Sequence, residues 1–331
     1  YVLVMTRSHR TANDRELINW QAKEAMVKGT VIKQTGRVPL EVLLGTRGKR
    51  VKVNHLFQSR LSTYIGNLNV VLFAPEDLAL VKGAPRERRQ FMDTEFSQMS
   101  SRYLYAISQF RGLLKQRNEY LKQLKYGSQV DQVLLKVLSD QLAESGAAVM
   151  AMRFKLLKRL ETWSAQLHEH ISQQKEVLKL KYISQVMIDE KTAENEIAEQ
   201  LQKLYHEHQS QEIKLGTTLY GPQRDDIRFL VNEQDVHRFG SQGQQRTTAL
   251  AVKLAEIDLM NEQTGEYPLL LLDDVLSELD DDRQTHLLTA IQDKVQTFLT
   301  TTSLSGVARQ LINRPTIFFF FFGTIDKEDK K

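Results

Sequence analysis

The sequence predicts a mixed α/β fold: an antiparallel β-meander, a long helical insertion, and a core in which strands and helices alternate so that the strands run parallel. Three observations predict it. Apolar residues alternate with a period of two across residues 24–55. From about residue 93 they recur at steps of three and four. In the last third, short apolar runs are separated by helical stretches, the pattern of a parallel α/β sheet. The expected organisation is 1–92, 93–212 and 213–331, with the middle part inserted between two β-containing parts.

In the meander, Leu40, Val42 and Leu44 alternate with polar or smaller neighbours, as do Val51 and Val53, and turns fall at Gly36 and across Gly45-Thr46-Arg47-Gly48. Asn69 to Phe73 reads as a buried strand ended by Ala74-Pro75. Leu104, Ile107, Phe110, Leu114, Leu121 and Leu124 mark one helical stripe; Met150, Phe154, Leu157, Leu160, Leu167 and Ile171 mark a second. Ile197, Leu201 and Leu204 continue the pattern, with interruptions expected near Gly127 and Gly146. Core packing is the leading account of these stripes, with partner helices or a coiled coil as the alternative. Strands are then expected at 226–231, 269–272 and 295–301, and helices at 244–260 and 282–291.

The chain of 331 residues can bury a sizeable core, and 41% hydrophobic with 26% charged residues is ordinary for a globular protein. The absence of cysteine excludes disulfides, thiolate zinc sites and cysteine nucleophiles. With no signal peptide and no apolar stretch of the ~20 residues that span a bilayer, a cytoplasmic location is expected. Residues 1–90 hold 16 Lys and Arg against 7 Asp and Glu, whereas the remainder is slightly acidic. That asymmetry suggests an anionic partner, with nucleic acid the commonest; a solvated surface without a partner is the plainer account. The chain opens at Tyr1 without a methionine, so upstream residues are expected to be missing. Phe318 to Phe322 form a run that reads as an aggregation hazard or an artefact.

Two motifs carry chemistry. Leu269-Leu270-Leu271-Leu272-Asp273-Asp274 sets two carboxylates at the carboxyl end of a buried strand, where open α/β sheets bind ligands. One acid there can hold Mg²⁺ that bridges nucleotide phosphates, and its neighbour can polarise a water. Ser241-Gln242-Gly243-Gln244-Gln245 precedes a helix, and a hydroxyl, a glycine and free amides at a helix N-terminus form an anion site. Each motif alone also fits a plain helix cap. Together, about thirty residues apart and followed by Ser277-Glu278-Leu279-Asp280, they stand in the order of the ABC-type ATPases.

The segments Ser241 to Thr247 and Leu271 to Asp280 resemble the RecF family. So do Phe73-Ala-Pro-Glu-Asp-Leu78, Val81 to Asp93, Gly221-Pro-Gln-Arg-Asp-Asp226 and Thr6-Arg-Ser-His-Arg10, and the similarity runs from Tyr1 to about Arg314. The resemblance implies an ABC-type ATPase head built from both ends of the chain, with the helical part as a second lobe. It implies a homodimer formed around ATP and Mg²⁺, with weak ATPase activity. Asp273 would help hold Mg²⁺ and Asp274 would stand near the attacking water. Ser241, Gln242, Gly243 and Gln244 would meet the partner's nucleotide, with Ser277, Asp280 and Thr301 nearby. It further implies DNA binding in gap repair, replication and the SOS response, with RecO and RecR helping to load the recombinase.

Two departures qualify this. No G-x-x-x-x-G-K-[ST] loop precedes Thr6, so the chain as written is expected to be inactive alone. After the last core strand stands Thr300-Thr301-Thr302, where transporter-type relatives of the class have histidine. Arg7, Arg10, Lys49, Arg50 and Lys52 are candidates for DNA phosphates, single- or double-stranded, at gaps or junctions; no base-reading motif is visible. Arg86, Arg88 and Arg89 match the family pattern, and could equally pair with Glu87, Asp93 or Glu95. His168 and His170, like His206 and His208, are two apart on helices, which is poor geometry for one metal. Two rival readings are an SMC- or Rad50-like head, whose coiled coils are much longer than ~120 residues, and a DNA-binding scaffold that needs no nucleotide.

Overall fold

In a computed structural model the described residues are 1–302 apart from 47, 128 and 130, together with 312, 316–321 and 324–327. After a short opening helix, α1 (Val2–Met5), the period-two segment forms four antiparallel strands. These are β1 (Glu24–Lys33), β2 (Gly36–Gly45), β3 (Gly48–Val53) and β4 (Leu56–Phe57). Leu40, Val42, Leu44 and Val51 point inward onto Tyr64, whose hydroxyl donates to Leu3 O at 2.6 Å and ties α1 to the sheet. The outward face carries the cross-strand rows Met26–Leu43–Arg50 and Lys28–Glu41–Lys52–Phe57. Arg47, expected in the β2–β3 turn, lies outside the described residues.

Next come β5 (Val70–Phe73), α2 (Ala79–Lys82), α3 (Pro85–Met99), α4 (Ser101–Lys125) and α5 (Gln132–Ile171). Helix starts before residue 93: the short α2 comes first, and α3 opens at Pro85, a residue suited to a first helical turn. Gly127 does lie between helices, with φ +96°, a backbone conformation that favours glycine. Gly146 does not interrupt anything. It sits buried inside the 40-residue α5, where a Cβ would come within 3.3–3.4 Å of Leu201, Phe110 and Pro222. Close helix approach, not chain reversal, requires that glycine.

A strand, β6 (Leu178–Ile183), breaks the expected helical stretch before α6 (Glu194–Glu207) and α7 (Gln209–Leu215). Leu178 and Leu180 are buried while Lys179 and Lys181 face outward. β6 pairs antiparallel with β7 (Asp226–Val231), which pairs with β8 (Gln234–Asp235). β7 therefore belongs to an antiparallel sheet and not to the parallel core.

After α8 (Val236–Phe239) come α9 (Gln242–Thr264), β9 (Leu269–Asp273), α10 (Asp281–Ile291) and β10 (Thr297–Thr300). The parallel sheet runs β10–β9–β5, with Leu271 between Phe298 and Leu72. α9 is buried nearly all round from Thr247 to Ile257, packed against α5. Its core is continuous with that of α3, α4 and α5. β11 (Phe318–Phe321) pairs antiparallel with β12 (Thr324–Lys327), with Phe318 and Phe320 exposed. Phe322 lies outside the described residues.

Buried charges tie distant segments together. Arg88 donates to Asp226 from Nε (2.6 Å) and Nη2 (3.0 Å), and Arg89 Nη1 donates to Asp225 O (2.9 Å). For Arg88 and Arg89 the partners are thus not Glu87, Asp93 or Glu95, the alternative the sequence left open, because the segment 221–226 folds back onto the start of α3. Asp93 instead accepts from Tyr103 Oη (2.6 Å), Arg153 Nη2 (2.7 Å) and Arg111 Nη2 (2.8 Å). Arg117 and Glu212 form a fully buried pair at 2.6 Å.

Candidate functional site

The strand-end acids follow directly from β9. Asp273 is its last residue, opposite Thr300 of β10 in register. Thr300 Oγ1 donates to Asp273 Oδ1 (2.7 Å) and Arg10 Nη2 donates to Asp273 Oδ2 (2.6 Å), with His9 Nε2 3.4 Å away. The Thr300 hydroxyl, then Arg10, hold the Asp273 carboxyl below its ordinary value. Asp274 leaves the strand with φ 54° and ψ 25°, a left-handed conformation that aspartate tolerates. Its amide donates to Thr300 O (3.1 Å) and Oγ1 (3.2 Å), and its carbonyl accepts from Ser277 Oγ (2.7 Å). Asp274 Oδ1 is buried without a hydrogen-bond partner.

This geometry tests the fit of a divalent cation. Asp273 Oδ2 is already the partner of a guanidinium, so the position attracts positive charge. Thr300 Oγ1 and the Asp273 carboxylate are hard oxygen donors of the kind Mg²⁺ takes. The following residue, Asp274, has a buried oxygen without a donor, which a water would supply. The residues fit the group.

Ser241 is the N-cap of α9: its Oγ accepts from Gln244 N (3.2 Å), and Gln244 Oε1 accepts from Ser241 N (2.9 Å). Ser241 and Gln242 are exposed at this 23-residue helix's positive end. A Cβ on Gly243 would sit 3.2 Å from Arg283 Nη2, so glycine keeps this turn open. Arg283 clamps the turn by donating to Thr247 Oγ1 (3.0 Å) and Gly243 O (3.3 Å). Asp280 caps α10, accepting from Arg283 N (2.9 Å), and also pairs with the Arg283 guanidinium. Ser241, Gly243, Gln244, Asp280 and Arg283 thus line one cavity of about 290 Å³, which does not include Asp273 or Asp274. Ser277 is bonded to the Asp274 carbonyl, and Thr301, half-buried, directly follows β10.

The five cations singled out from the sequence are separated. Arg7 turns inward and donates to Thr94 Oγ1 (2.8 Å), and Arg10 is held by Asp273. Lys49 donates to Thr6 O (2.7 Å) and pairs with Asp14 (2.9 Å). Arg50 and Lys52 lie on the outer face of the meander, near Glu24 (3.4 Å) and Glu41 (3.1 Å), with Lys52 Nζ 4.8 Å from the centre of the exposed Phe57 ring. Sequence reasoning missed Thr300, Arg283 and Thr247. Their roles depend on strand register and helix packing; the one signal was that Thr300 belongs to the Thr300-Thr301-Thr302 run after the last core strand.

A parallel sheet ending in paired acids, a capped Ser-Gln-Gly-Gln helix beside it and an antiparallel meander together make the fold of an ABC-type ATPase head, here with helical additions. No family model matches the chain. The protein named DNA replication and repair protein RecF from Limosilactobacillus fermentum is 69% identical over 329 residues, covering 99% of this chain and 88% of the relative. Its namesake from Limosilactobacillus reuteri is 65% identical over 331 residues, covering 100% of this chain and 88% of the relative. A solved structure of the recombination mediator protein RecF-ATP in the RecFOR pathway superposes with a TM-score of 0.90 at 32% identity, over 99% of this chain and 86% of that one. The chain belongs to the RecF family of DNA replication and repair proteins. The SMC- or Rad50-like reading is thereby displaced.

Proposed function

We propose that this protein is an ATP-dependent DNA-binding protein of recombinational gap repair and replication maintenance, switched by ATP-driven dimerisation and slow hydrolysis. The head consists of 1–92 and 213–331, and 93–212 form the second lobe. One observation carries the reading: among the described residues, the cavity lined by Ser241, Gly243 and Gln244 does not include Asp273 or Asp274. Each is half of a nucleotide site, so a second chain completes it. Asp273 would hold Mg²⁺, which would neutralise charge on the phosphates; Asp274 would orient the water, and Ser241, Gln242, Gly243 and Gln244 of the partner would close on the phosphate, flanked by Ser277, Asp280 and Thr301. The solved RecF-ATP relative supports ATP as the nucleotide.

DNA meets the basic first quarter through Arg10, Arg50 and Lys52, with Lys49 and Arg7 shaping that surface from within. As in the RecFOR pathway of the solved relative, RecO and RecR are the partners, and the protein works in the cytoplasm to help load the recombinase. The test is DNA affinity of the full-length protein with ATP and with ADP, at fixed salt because phosphate contacts are salt-sensitive. Tighter binding with ATP is expected. Equal affinity in both states favours the nucleotide-independent scaffold instead.

A further inference from the structure

Gln244 has a constrained side chain. Its Oε1 accepts from Ser241 N, so its amide nitrogen must donate outward. It donates to Glu176 Oε1 at 2.8 Å. Glu176 belongs to the turn that joins α5 to β6, in which Gln173 and Gln174 have φ of 54° and 61°. That turn is fixed next to Glu176: Val177 N donates to Asn232 Oδ1 (2.9 Å), and Asn232 N donates to Val177 O (3.0 Å). Behind the carboxylate lies the buried ring of His168, the last buried residue of α5, with Nε2 3.7 Å from Glu176 Oε2 and no closer hydrogen-bond partner. His170, two residues on, packs edge-to-face on His286 of α10 at 5.2 Å.

The end of α5 therefore touches both α10 and, through one carboxylate, the cap of α9. A carboxylate only accepts, so it locks the Gln244 amide in the orientation that leaves Ser241 N and Oγ inside the capping box. We propose that Glu176 is a positioning residue for the Ser241–Gln244 turn, transmitting the state of the long helix α5 to the surface that meets the partner's nucleotide. Glu176 lines the same cavity as Ser241 and Gly243, and its hydrogen bond there goes to Gln244. This inference rests on the reading that the turn completes the other chain's site.

The experiment uses full-length protein as wild type, Glu176→Gln and Glu176→Ala. Amide hydrogen exchange at 242–245 is followed without nucleotide, and dimerisation is titrated with ATP. A charge-assisted hydrogen bond of this kind is expected to shift the dimer dissociation constant about tenfold in Glu176→Ala. Exchange at 242–245 should rise, while ATP affinity of the monomer and the melting temperature stay unchanged. Glu176→Gln still offers Gln244 an oxygen and should stay within about threefold of wild type. Unchanged exchange in Glu176→Ala overturns the proposal, as does wild-type dimerisation in that variant or a Glu176→Gln as defective as Glu176→Ala. If wild type itself stays monomeric with ATP, the dimer reading fails, and the exchange measurement alone still decides whether Glu176 positions the turn.

Discussion

Arg10 and Asp273, separated by 263 positions in sequence, meet at 2.6 Å, so the first residues of the chain neutralise the acid at the end of the central strand. Arg10 remains largely exposed, with 71% of its side chain accessible. A cation arriving at Asp273 would displace it and free a guanidinium at the surface. Arg10→Ala should therefore weaken DNA binding several-fold with ATP and leave nucleotide-free binding unchanged. Equal losses in both states, measured by fluorescence anisotropy, would show that Arg10 reaches DNA without leaving Asp273.

Asp274 differs from Asp273 in having a buried oxygen without a donor. Asp274→Asn should slow ATP hydrolysis by at least about a hundredfold, the scale of a lost general base, while ATP-dependent dimerisation persists. Turnover at the wild-type rate, followed by phosphate release, would remove Asp274 from the chemistry.

Arg153 is fully buried and donates to Asp93, to Tyr103 Oη (3.0 Å) and to Pro222 O (2.7 Å), with Asp225 3.6 Å away. Arg153→Ala would leave the buried Asp225 and the half-buried Asp93 without their common cation, Asp93 keeping only the cation of Arg111 at the surface. Removing one member of such a set costs about 3–5 kcal/mol. Urea unfolding should show that loss; a change below about 1 kcal/mol would mean the site relaxes around water.

Burial raises the carboxyl of Glu95 to about 7 and that of Asp225 to about 6. Each native acid keeps a proton that the unfolded chain has released near its ordinary value. Their contribution to stability is therefore full below pH ~4 and is lost as the pH rises towards ~7. Glu95→Gln should flatten the fall in melting temperature between pH 5 and 8. An unaltered slope would mean that Glu95 is ionised across that range, held by Lys253 nearby.

The chemistry-bearing turns were legible because each is contiguous. Four leucines before Asp273 mark a strand end, and Ser241 with Gln244 three residues later marks a helix start. The partners of those residues were not legible. Arg10 reaches Asp273 only because α1 and the meander pack as they do, and Thr300 faces it only through the β9–β10 register. β6 was hidden because its lysines alternate with Leu178 and Leu180 in a lysine-rich stretch between helices. Gly146 shows a different limit: a glycine in an amphipathic run signals a break or a close contact, and only the packing of Leu201 and Phe110 distinguishes them.

The central claim is that two chains complete each nucleotide site. Sedimentation velocity of the full-length protein with ATP, with ADP and with Ser241→Arg tests it most directly. The account predicts a dimer with ATP, a monomer with ADP, and a monomer in both for Ser241→Arg, whose bulk blocks the turn. A wild-type monomer with ATP, or a Ser241→Arg protein that dimerises as readily as wild type, would contradict it.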